Sequence, residues 1–341
     1  MAWYCGNGEA RDVIVSSRVR FARNVERIPF GKRLSDDDAE KLISGAGEVL
    51  GEKYTRVNFD ELSPVTAQAY VEEHIVSSEF ASGEGKRALY KNDDDEIYVM
   101  VCEEDHFRVQ SIKSGLSLDS AYSAAKEAAG RLSEKFEIAF DPELGYLTHC
   151  PTNLGTAMRA SVMVFLPAIT KCNGIPSLTR QLSKLGFTVR GMYGEGSDAL
   201  GTLYQISNQE TLGITEEETV KRLSEVANSV VNEERRLRRE LMSGDAGDET
   251  ADRCMRAYGI LKHSRAISNR EFLSLWIEVR LGVAISDEGG ERLIPENVTY
   301  DVLDALMIEV QPAVLTLLSG GGELSPHERD LRRAKILAER L

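Results

Sequence analysis

Five arginines stand beside residues that could shape a site for a polyphosphate. Arg18 and Arg20 lie two positions apart in a β-branched run, so a strand there would project both guanidiniums from one face. Arg108 follows an acidic bend, Arg159 follows a turn rich in Pro, Thr and Asn, and Arg190 precedes a glycine-rich loop. A planar guanidinium can donate two parallel hydrogen bonds to the oxygens of one phosphate. We therefore expect Arg18, Arg108 and Arg159 to converge on a triphosphate, whereas the alternative for the run 12–24 is a solvated edge strand.

Two acidic positions complement these arginines. Glu103, Glu104 and Asp105 occupy a hairpin bend between apolar runs, and Glu195 lies in the glycine-rich loop. An exposed acidic turn is the alternative for the bend, and a surface position is the alternative for Glu195. Two carboxylates could hold a guanidinium in line with a γ-phosphate, and one of them could accept its proton. No Gly-x-x-x-x-Gly-Lys-Ser/Thr motif occurs, so a nucleotide would be bound by the arginines.

The stretch 148–167 is predicted to combine a turn with a buried helix that runs to Ile169. Thr152 or Asn153 could cap this helix through a side-chain oxygen, and Gly155 would allow a close backbone approach. Arg159 would then lie in the first turns, beside free helix amides. Such a helix start favours anions, and phosphate is the simplest candidate.

Composition limits the class of protein. The chain has 341 residues, 42% hydrophobic and 28% charged, with a formal net charge of −14. This charge disfavours general nucleic-acid binding, and a length of this kind is typical of two domains. We expect no signal peptide, and the sequence has no apolar run long enough to span a membrane. Five scattered cysteines without metal spacing indicate reduced thiols, so we expect a cytoplasmic protein that does not bind membranes.

The pattern of elements predicts an α/β (α+β) fold, in which helices flank an antiparallel sheet and a helical domain follows. We expect a catalytic domain over 1–242 and a helical domain over 243–341, joined by a Gly- and Asp-rich linker at 243–249. Strands are expected in 12–24, two or three in 86–112, and one each at 187–190 and 203–206. Helices are expected at 35–51, 63–80, 118–136, 215–241, 252–263, 268–281, 302–318 and 325–341. His74 would lie on the second of these helices, where a lone histidine is more often structural than functional.

Several segments together resemble the catalytic domain of the phosphagen (guanidino) kinases, such as arginine and creatine kinase. They are Ser-Ser-Arg-Val-Arg at 16–20, Glu-Glu-Asp-His-Phe-Arg at 103–108, Cys-Pro-Thr-Asn-Leu-Gly-Thr at 150–156, Arg-Ala-Ser at 159–161 and Ile-Ser-Asn at 206–208. The resemblance implies Glu104, Glu195 and Arg159 as catalytic residues, with Cys150 near the guanidinium. It implies ATP and Mg²⁺ as cofactors, with no protein ligand for the metal. The implied ATP-binding residues are Ser16, Ser17, Arg18, Val19, Arg20, His74, Arg108, Arg159, Ala160, Ser161, Val162, Met163, Arg190, Gly191, Met192, Tyr193, Gly194 and Glu195.

The chain departs from the small-guanidine kinases in ways that predict a different acceptor. The first motif begins at Ser16, so we expect no helical lid before it, and Met163 replaces a histidine of that family. With its helical C-terminal region, the whole chain resembles the bacterial protein-arginine kinases (McsB type). That resemblance implies a phosphoarginine-docking motif at Arg329, Asp330, Arg333 and Ala334, where a polar helix face is the alternative. It also implies arginine-bearing protein substrates, the Clp protease system, a heat-shock repressor and a zinc-containing activator as partners, and a homodimer or higher oligomer.

Three functions are therefore weighed. The first is a protein-arginine kinase that marks proteins for Clp degradation and regulates the heat-shock repressor. The second is a kinase of free arginine or another small guanidino compound, which the expected absence of a lid disfavours. The third is a non-catalytic phosphoarginine-binding adaptor, which the full set of arginines and carboxylates disfavours.

Overall fold

The computed structural model describes residues 3–94, 96–191 and 202–341, except the side chain of Lys32. Its centre is an eight-stranded sheet in the order β2-β3-β4-β5-β1-β8-β10-β9, in which every neighbouring pair is antiparallel. A two-stranded hairpin, β6-β7, lies apart from it. The strands are β1 Ile14–Arg23, β2 Tyr54–Asn58, β3 Ala88–Asn92, β4 Ile97–Val101, β5 Phe107–Ser114, β6 Phe140–Asp141, β7 Gly145–Tyr146, β8 Met158–Phe165, β9 Phe187–Gly191 and β10 Leu203–Asn208.

Helices cover both faces of this sheet, which confirms the predicted fold class. Before residue 242 they are α1 Asp36–Leu50, α2 Pro64–Glu72, α3 Ser78–Ser82, α4 Leu118–Lys135, α5 Pro167–Lys171, α6 Ile175–Lys184 and α7 Glu216–Leu241. The C-terminal helices are α8 Asp245–His263, α9 Asn269–Asp287, α10 Tyr300–Glu309, α11 Pro312–Leu318 and α12 Pro326–Arg340. No helix in the described ranges has both the length and the apolar character to cross a bilayer.

Strand alternation gives the large sheet two chemically different faces. In β1, Val19 and Phe21 enter an apolar core shared with α1, α4 and α7, whereas Arg18 and Arg20 project from the opposite face. The pairing register places Arg20 opposite Arg159 of β8. The arginines are thus brought together by strand pairing.

The opposite face is covered at its edges by α2, α3 and the C-terminal helices. Phe165 of the sheet lies edge-on to Trp276 of α9, with ring centroids 6.0 Å apart. Glu72 at the end of α2 accepts hydrogen bonds from the backbone N–H groups of Ala313 and Val314 at 2.8 and 3.0 Å. The C-terminal helices and the sheet therefore share one apolar core.

Four predicted elements are wrong. The predicted helix after Asn153 is a single turn, Pro151–Asn153, followed by strand β8, because the alternating apolar side chains of 158–165 complete the sheet beside β1. The predicted helix 63–80 ends at Glu72, so His74 lies in a turn with φ of 60°. The predicted linker 243–249 is helical from Asp245, and the predicted helix 302–318 is two helices because Pro312 begins a new one.

Candidate active site

Burial and repulsion between like charges together lower the pKa values of the arginines on the polar face of the sheet. Burial, Arg159 and Arg108 together lower the pKa of Arg18 to about 10. The charge of Arg18 and then burial lower the pKa of Arg20 well below its usual range. Burial lowers the pKa of Arg159, and the nearby charge of Arg190 lowers it further. A cluster of this kind is electrostatically incomplete, and a polyanion would relieve it.

Arg23, also on β1, differs from these arginines because its guanidinium has partners within the protein. Arg23 is buried, stacks 3.6 Å from the ring centre of Tyr146 and lies 3.5 Å from the carboxylate of Glu216. It also donates to the carbonyls of Ala22 and Thr156 at 2.8 and 3.2 Å. Its hydrogen-bonding capacity is used within the fold, whereas Arg18 and Arg20 face cavities.

The acidic bend between β4 and β5 presents one carboxylate and buries two. Cys102, just before the bend, has φ of 66°, a strained conformation for a non-glycine residue. The side chain of Glu103 is 7% exposed and accepts from Ser77 Oγ at 2.5 Å. That of Asp105 is fully buried and accepts from Asn24 Nδ2 at 2.7 Å. Only Glu104, 41% exposed, can reach a substrate.

Arg108 holds these carboxylates at the edge of the cluster. Its two terminal nitrogens lie 2.5 Å from Glu103 Oε2 and 2.5 Å from Glu104 Oε1, and 3.7 Å separates it from Asp105 Oδ2. Burial raises the pKa of Glu103, which the charge of Arg108 opposes. Arg108 therefore links the cationic face of the sheet to the acidic bend.

The segment after the Pro151–Asn153 turn completes the wall of a cleft. Gly155 has φ of 101°, and a Cβ added there would lie 2.0 Å from the carbonyl oxygen of Thr211, so only glycine fits. Cys150 Sγ lies 3.0 Å from Thr152 Oγ1 on the same wall. The resulting open cleft of about 230 Å³ is lined by Arg20, Phe21, Ala22, Glu104, Arg108, Cys150, Thr152, Asn153, Ala157 and Arg159.

A second, smaller cavity lies on the same face, and it contains Arg18. Its lining residues are Trp3, Ser16, Arg18, His74, Ile112, Ser161, Met163 and Gln205. Arg18 therefore lines a different cavity from Arg108 and Arg159, although the charges of both arginines act on it. Their convergence on one triphosphate stays a prediction. Arg18 donates to Gln205 Oε1 at 2.8 Å. Burial and the charge of Arg18 lower the pKa of His74 to about 4, so its imidazole is neutral at physiological pH.

Other residues of the predicted ATP-binding set have different positions. Gly191 ends β9 beside Arg190. Met192, Tyr193, Gly194 and Glu195 lie outside the described residues. Four further residues of this set alternate with the polar ones along the strands, so their side chains point to the apolar side of the sheet and do not line the cavities. They are Ser17, Val19, Ala160 and Val162.

Three residues that border the site escaped sequence reasoning. Trp3 is buried and donates from Nε1 to the carbonyl of Glu73 at 2.9 Å, beside His74. Gln205 lies opposite Met163 in the β8–β10 pairing. Asn24 ties the acidic bend to the neighbouring wall through Asp105 and the carbonyl of Leu147. Only long-range strand pairing identifies such positions, although an aromatic residue near the N-terminus was a visible signal.

The predicted docking motif on α12 is partly built into the fold. Arg333 is 1% exposed and donates to the carbonyls of Val310 and Ile267 at 3.0 and 2.8 Å, and to Asp330 Oδ1 at 2.7 Å. Ala334 is buried next to it. Arg329 and Asp330 are half-buried and lie closer to the surface.

Within the part of the chain that the structure describes, no three or more His, Cys, Asp or Glu side chains are grouped so as to hold a metal ion. The oxygen ligands that Mg²⁺ prefers are also supplied by phosphates and water. The residues of the cleft suit the phosphates of a nucleotide, since Arg20 and Arg159 form no salt bridge with any carboxylate of the described residues, whereas Arg108 is paired with the acidic bend.

Comparison with known proteins gives consistent matches. Residues 39–237 match the family model of the ATP:guanido phosphotransferase C-terminal catalytic domain, and residues 247–341 match that of the protein-arginine kinase McsB C-terminal domain. The protein-arginine kinase of Symbiobacterium thermophilum is 40% identical over 347 residues, covering 99% of this chain and 96% of the relative. That of Halothermothrix orenii is 42% identical over 344 residues, covering 99% of this chain and 96% of the relative. The crystal structure of a lombricine kinase shares the fold, with a TM-score of 0.60 and 22% identity over 68% of this chain and 69% of that chain.

Proposed function

Because this chain belongs to the family of the protein-arginine kinases, within the ATP:guanido phosphotransferases, we propose that it transfers the γ-phosphate of ATP to arginine side chains of proteins. One observation carries this proposal. Among the described residues, three guanidiniums, two of them without a salt bridge, and one exposed carboxylate, Glu104, line the same open cleft.

ATP would extend along the polar face of the sheet and occupy both cavities. The base would enter the cavity of Trp3, Ile112 and Met163, whose apolar surfaces suit a planar ring, and the neutral His74 would contact the nucleoside. The phosphates would lie against Arg20, Arg108 and Arg159, with Arg18 and Arg190 flanking them. Mg²⁺ would be held by phosphate oxygens and water.

The acceptor guanidinium would bind on the acidic side of this cleft. Glu104 orients a terminal nitrogen toward the γ-phosphorus and accepts its proton as the new N–P bond forms and ADP leaves. The arginines neutralise the charge that moves during transfer. The resemblance of the sequence assigns Glu195 as a second carboxylate for the acceptor.

Glu104 must exchange one partner to do this. In the structure it is paired with Arg108, whose other terminal nitrogen contacts Glu103. Phosphate oxygens would draw Arg108 toward the nucleotide, and the acceptor guanidinium would take its place at Glu104. Glu104 would then still be paired with one positive charge, that of the acceptor instead of that of Arg108.

The docking motif is proposed to bind phosphoarginine through residues of unequal accessibility. Asp330 would face the guanidinium of the ligand and Arg329 its phosphate. Arg333 donates to two backbone carbonyls and to Asp330, so it would fix the orientation of Asp330 while completing the site with Ala334.

The cellular role is proposed from the same family resemblance. We infer that the protein acts in the cytoplasm as a homodimer or higher oligomer. Its products would be degraded by the Clp protease system, and it would inactivate a heat-shock repressor under control of a zinc-containing activator.

Incubation with Mg²⁺, ATP and either casein or free arginine tests the reaction. We expect acid-labile, guanidine-linked phosphate on casein, its loss in Glu104→Gln, and no change in Glu225→Gln, which removes an exposed carboxylate on α7. Phosphorylation of free arginine in preference to casein would identify a small-guanidine kinase. No transfer, together with phosphoarginine binding, would identify an adaptor instead.

A further inference from the structure

Three exposed apolar side chains lie on two segments that meet beside the cleft. Among the described residues, eight large hydrophobic side chains are exposed, and three of them belong to two segments that meet at Gly155. Phe140 is 56% exposed, Leu144 43% and Leu212 54%. Single exposed apolar residues are ordinary, but a group beside a binding cleft indicates a contact surface. We call these three residues the apolar rim.

Backbone pairing holds the rim in place. Phe140 and Leu144 belong to the β6–β7 hairpin, in which the ring of Phe140 packs edge-on against Tyr146 at 5.2 Å. Tyr146 in turn lies under the guanidinium of Arg23. Asp141 Oδ1 accepts the backbone N–H groups of Glu143 and Leu144 at 2.8 and 2.9 Å, which fixes the turn. The exposure of these side chains is therefore a property of an ordered hairpin.

The rim is continuous with the cleft wall. Gly155 donates to the carbonyl of Leu144 at 2.7 Å and accepts from the N–H of Tyr146 at 2.9 Å. It also touches the backbone beside Leu212. Asn153 and Ala157, which line the cleft together with Glu104, lie two positions from Gly155 on either side.

A protein-borne acceptor that enters the cleft from the side of Asn153 and Ala157 would pass over this edge. The side chain of the acceptor arginine enters the cleft, so its own backbone and the neighbouring residues stay at the mouth. A free guanidino compound carries no such flanking chain. The apolar rim would therefore distinguish a polypeptide from a small molecule.

We propose that the apolar rim binds the polypeptide that flanks the acceptor arginine, and that it favours an aliphatic or aromatic residue close to that arginine. This inference rests on the proposed function, since it names the class of polypeptide that the same cleft accepts. The exposed carboxylate of Glu143 at the hairpin turn adds a preference against acidic flanks.

Paired arginine peptides test this preference. One series carries a leucine at successive positions on either side of the arginine, and a matched series carries serine. We expect kcat/KM for the best leucine peptide to exceed that of its serine partner about tenfold, mainly through KM, because partial burial of two apolar side chains corresponds to roughly that factor. The double variant Phe140→Ser/Leu144→Ser should remove the difference, and Leu212→Ser should reduce it.

Two controls separate binding from folding. Met255→Ser removes an equally exposed apolar side chain (55%) on α8 and should leave the leucine preference intact. ATP-induced thermal stabilisation of the double variant should match that of the unaltered protein. An unchanged leucine preference in the folded double variant, or no preference in the unaltered protein, would overturn the apolar rim alone. Absence of phosphorylation of every peptide and of casein would instead overturn the proposed function.

Discussion

Arg20 should lower the stability of the protein when no nucleotide is bound. It projects from β1 beside Arg18, and the charge of Arg18 lowers its pKa well below the usual range. Substitution Arg20→Met removes this charge but keeps a long apolar stem. We therefore expect Arg20→Met to stabilise the nucleotide-free protein while it damages the proposed phosphate site.

The expected rise in the free energy of unfolding can be estimated from the spacing of residues along the strand. Alternate residues of a strand are separated by about 6.7 Å. Two unit charges at that distance repel each other by roughly 2.5 kcal/mol at an effective dielectric constant of about 20. Some packing is lost with the guanidinium, so the free energy of unfolding should rise by about 1–2 kcal/mol. For the unaltered protein, ATP at a hundred times its Kd should add about 2.7 kcal/mol, and the variant should lose most of that gain.

Urea unfolding with and without Mg²⁺-ATP measures both effects. Arg23→Met is the matched control on the same strand, because that guanidinium stacks on Tyr146 and donates to two backbone carbonyls. It should lose about 2–4 kcal/mol with or without nucleotide. If Arg20→Met destabilises the nucleotide-free protein as much as Arg23→Met does, mutual repulsion does not govern the site and the reasoning fails.

Three further predictions concern pH, the docking helix and the cleft wall. Burial and a neighbouring guanidinium lower the pKa of His74 to about 4 from 6.5, so the unfolded chain takes up the proton first as the pH falls. The free energy of unfolding should then decline between pH 6.5 and about 4, by up to about 3 kcal/mol, and His74→Asn should remove that decline; equal pH profiles would contradict it. Arg333→Ala should lower the free energy of unfolding in urea by about 3–5 kcal/mol, because Arg333 is buried and donates to two backbone carbonyls and to Asp330. Arg329→Ala should change that free energy by less than about 0.5 kcal/mol and only weaken phosphoarginine binding in calorimetry. Gly155→Ala should lower the thermal midpoint far more than Gly213→Ala, since both have positive φ but a Cβ meets no atom within 4 Å at Gly213; similar shifts would show that the close approach at Gly155 is relaxed.

The sequence predicts those elements whose pattern is local. The alternation of Arg18 and Arg20 with apolar residues predicts strand β1 and its polar face, and Ser35 and Thr215 predict the starts of α1 and α7 that the structure confirms. Each of these signals depends on neighbours within a few positions.

The stretch 148–167 shows where local signals fail. Pro151 and Asn153 resemble a helix start, and Ala160 and Met163 are compatible with a helix. The competing strand is stabilised by pairing with β1 on one side and β10 on the other, which depends on residues far away in the chain. Tertiary contacts override weak local preferences in such a case.

The sequence predicts which residue types form the candidate site, but it does not predict how they are arranged in space. Residue types identify the acidic bend, but exposure separates Glu104 from its buried neighbours. The division of the arginines between two cavities follows from strand register, which a linear sequence does not display. Similarly, Arg333 reads as a surface charge on α12 although its guanidinium is buried.

The contact between Phe165 and Trp276 has a consequence for how far the sheet region depends on the C-terminal helices. The C-terminal helices serve as the cover of a sheet surface that would otherwise meet water. We expect a truncated protein that ends after α7 to expose this surface and to aggregate more readily than the full chain. Insertions or deletions between α7 and α8 would then be tolerated only when they leave this cover in place.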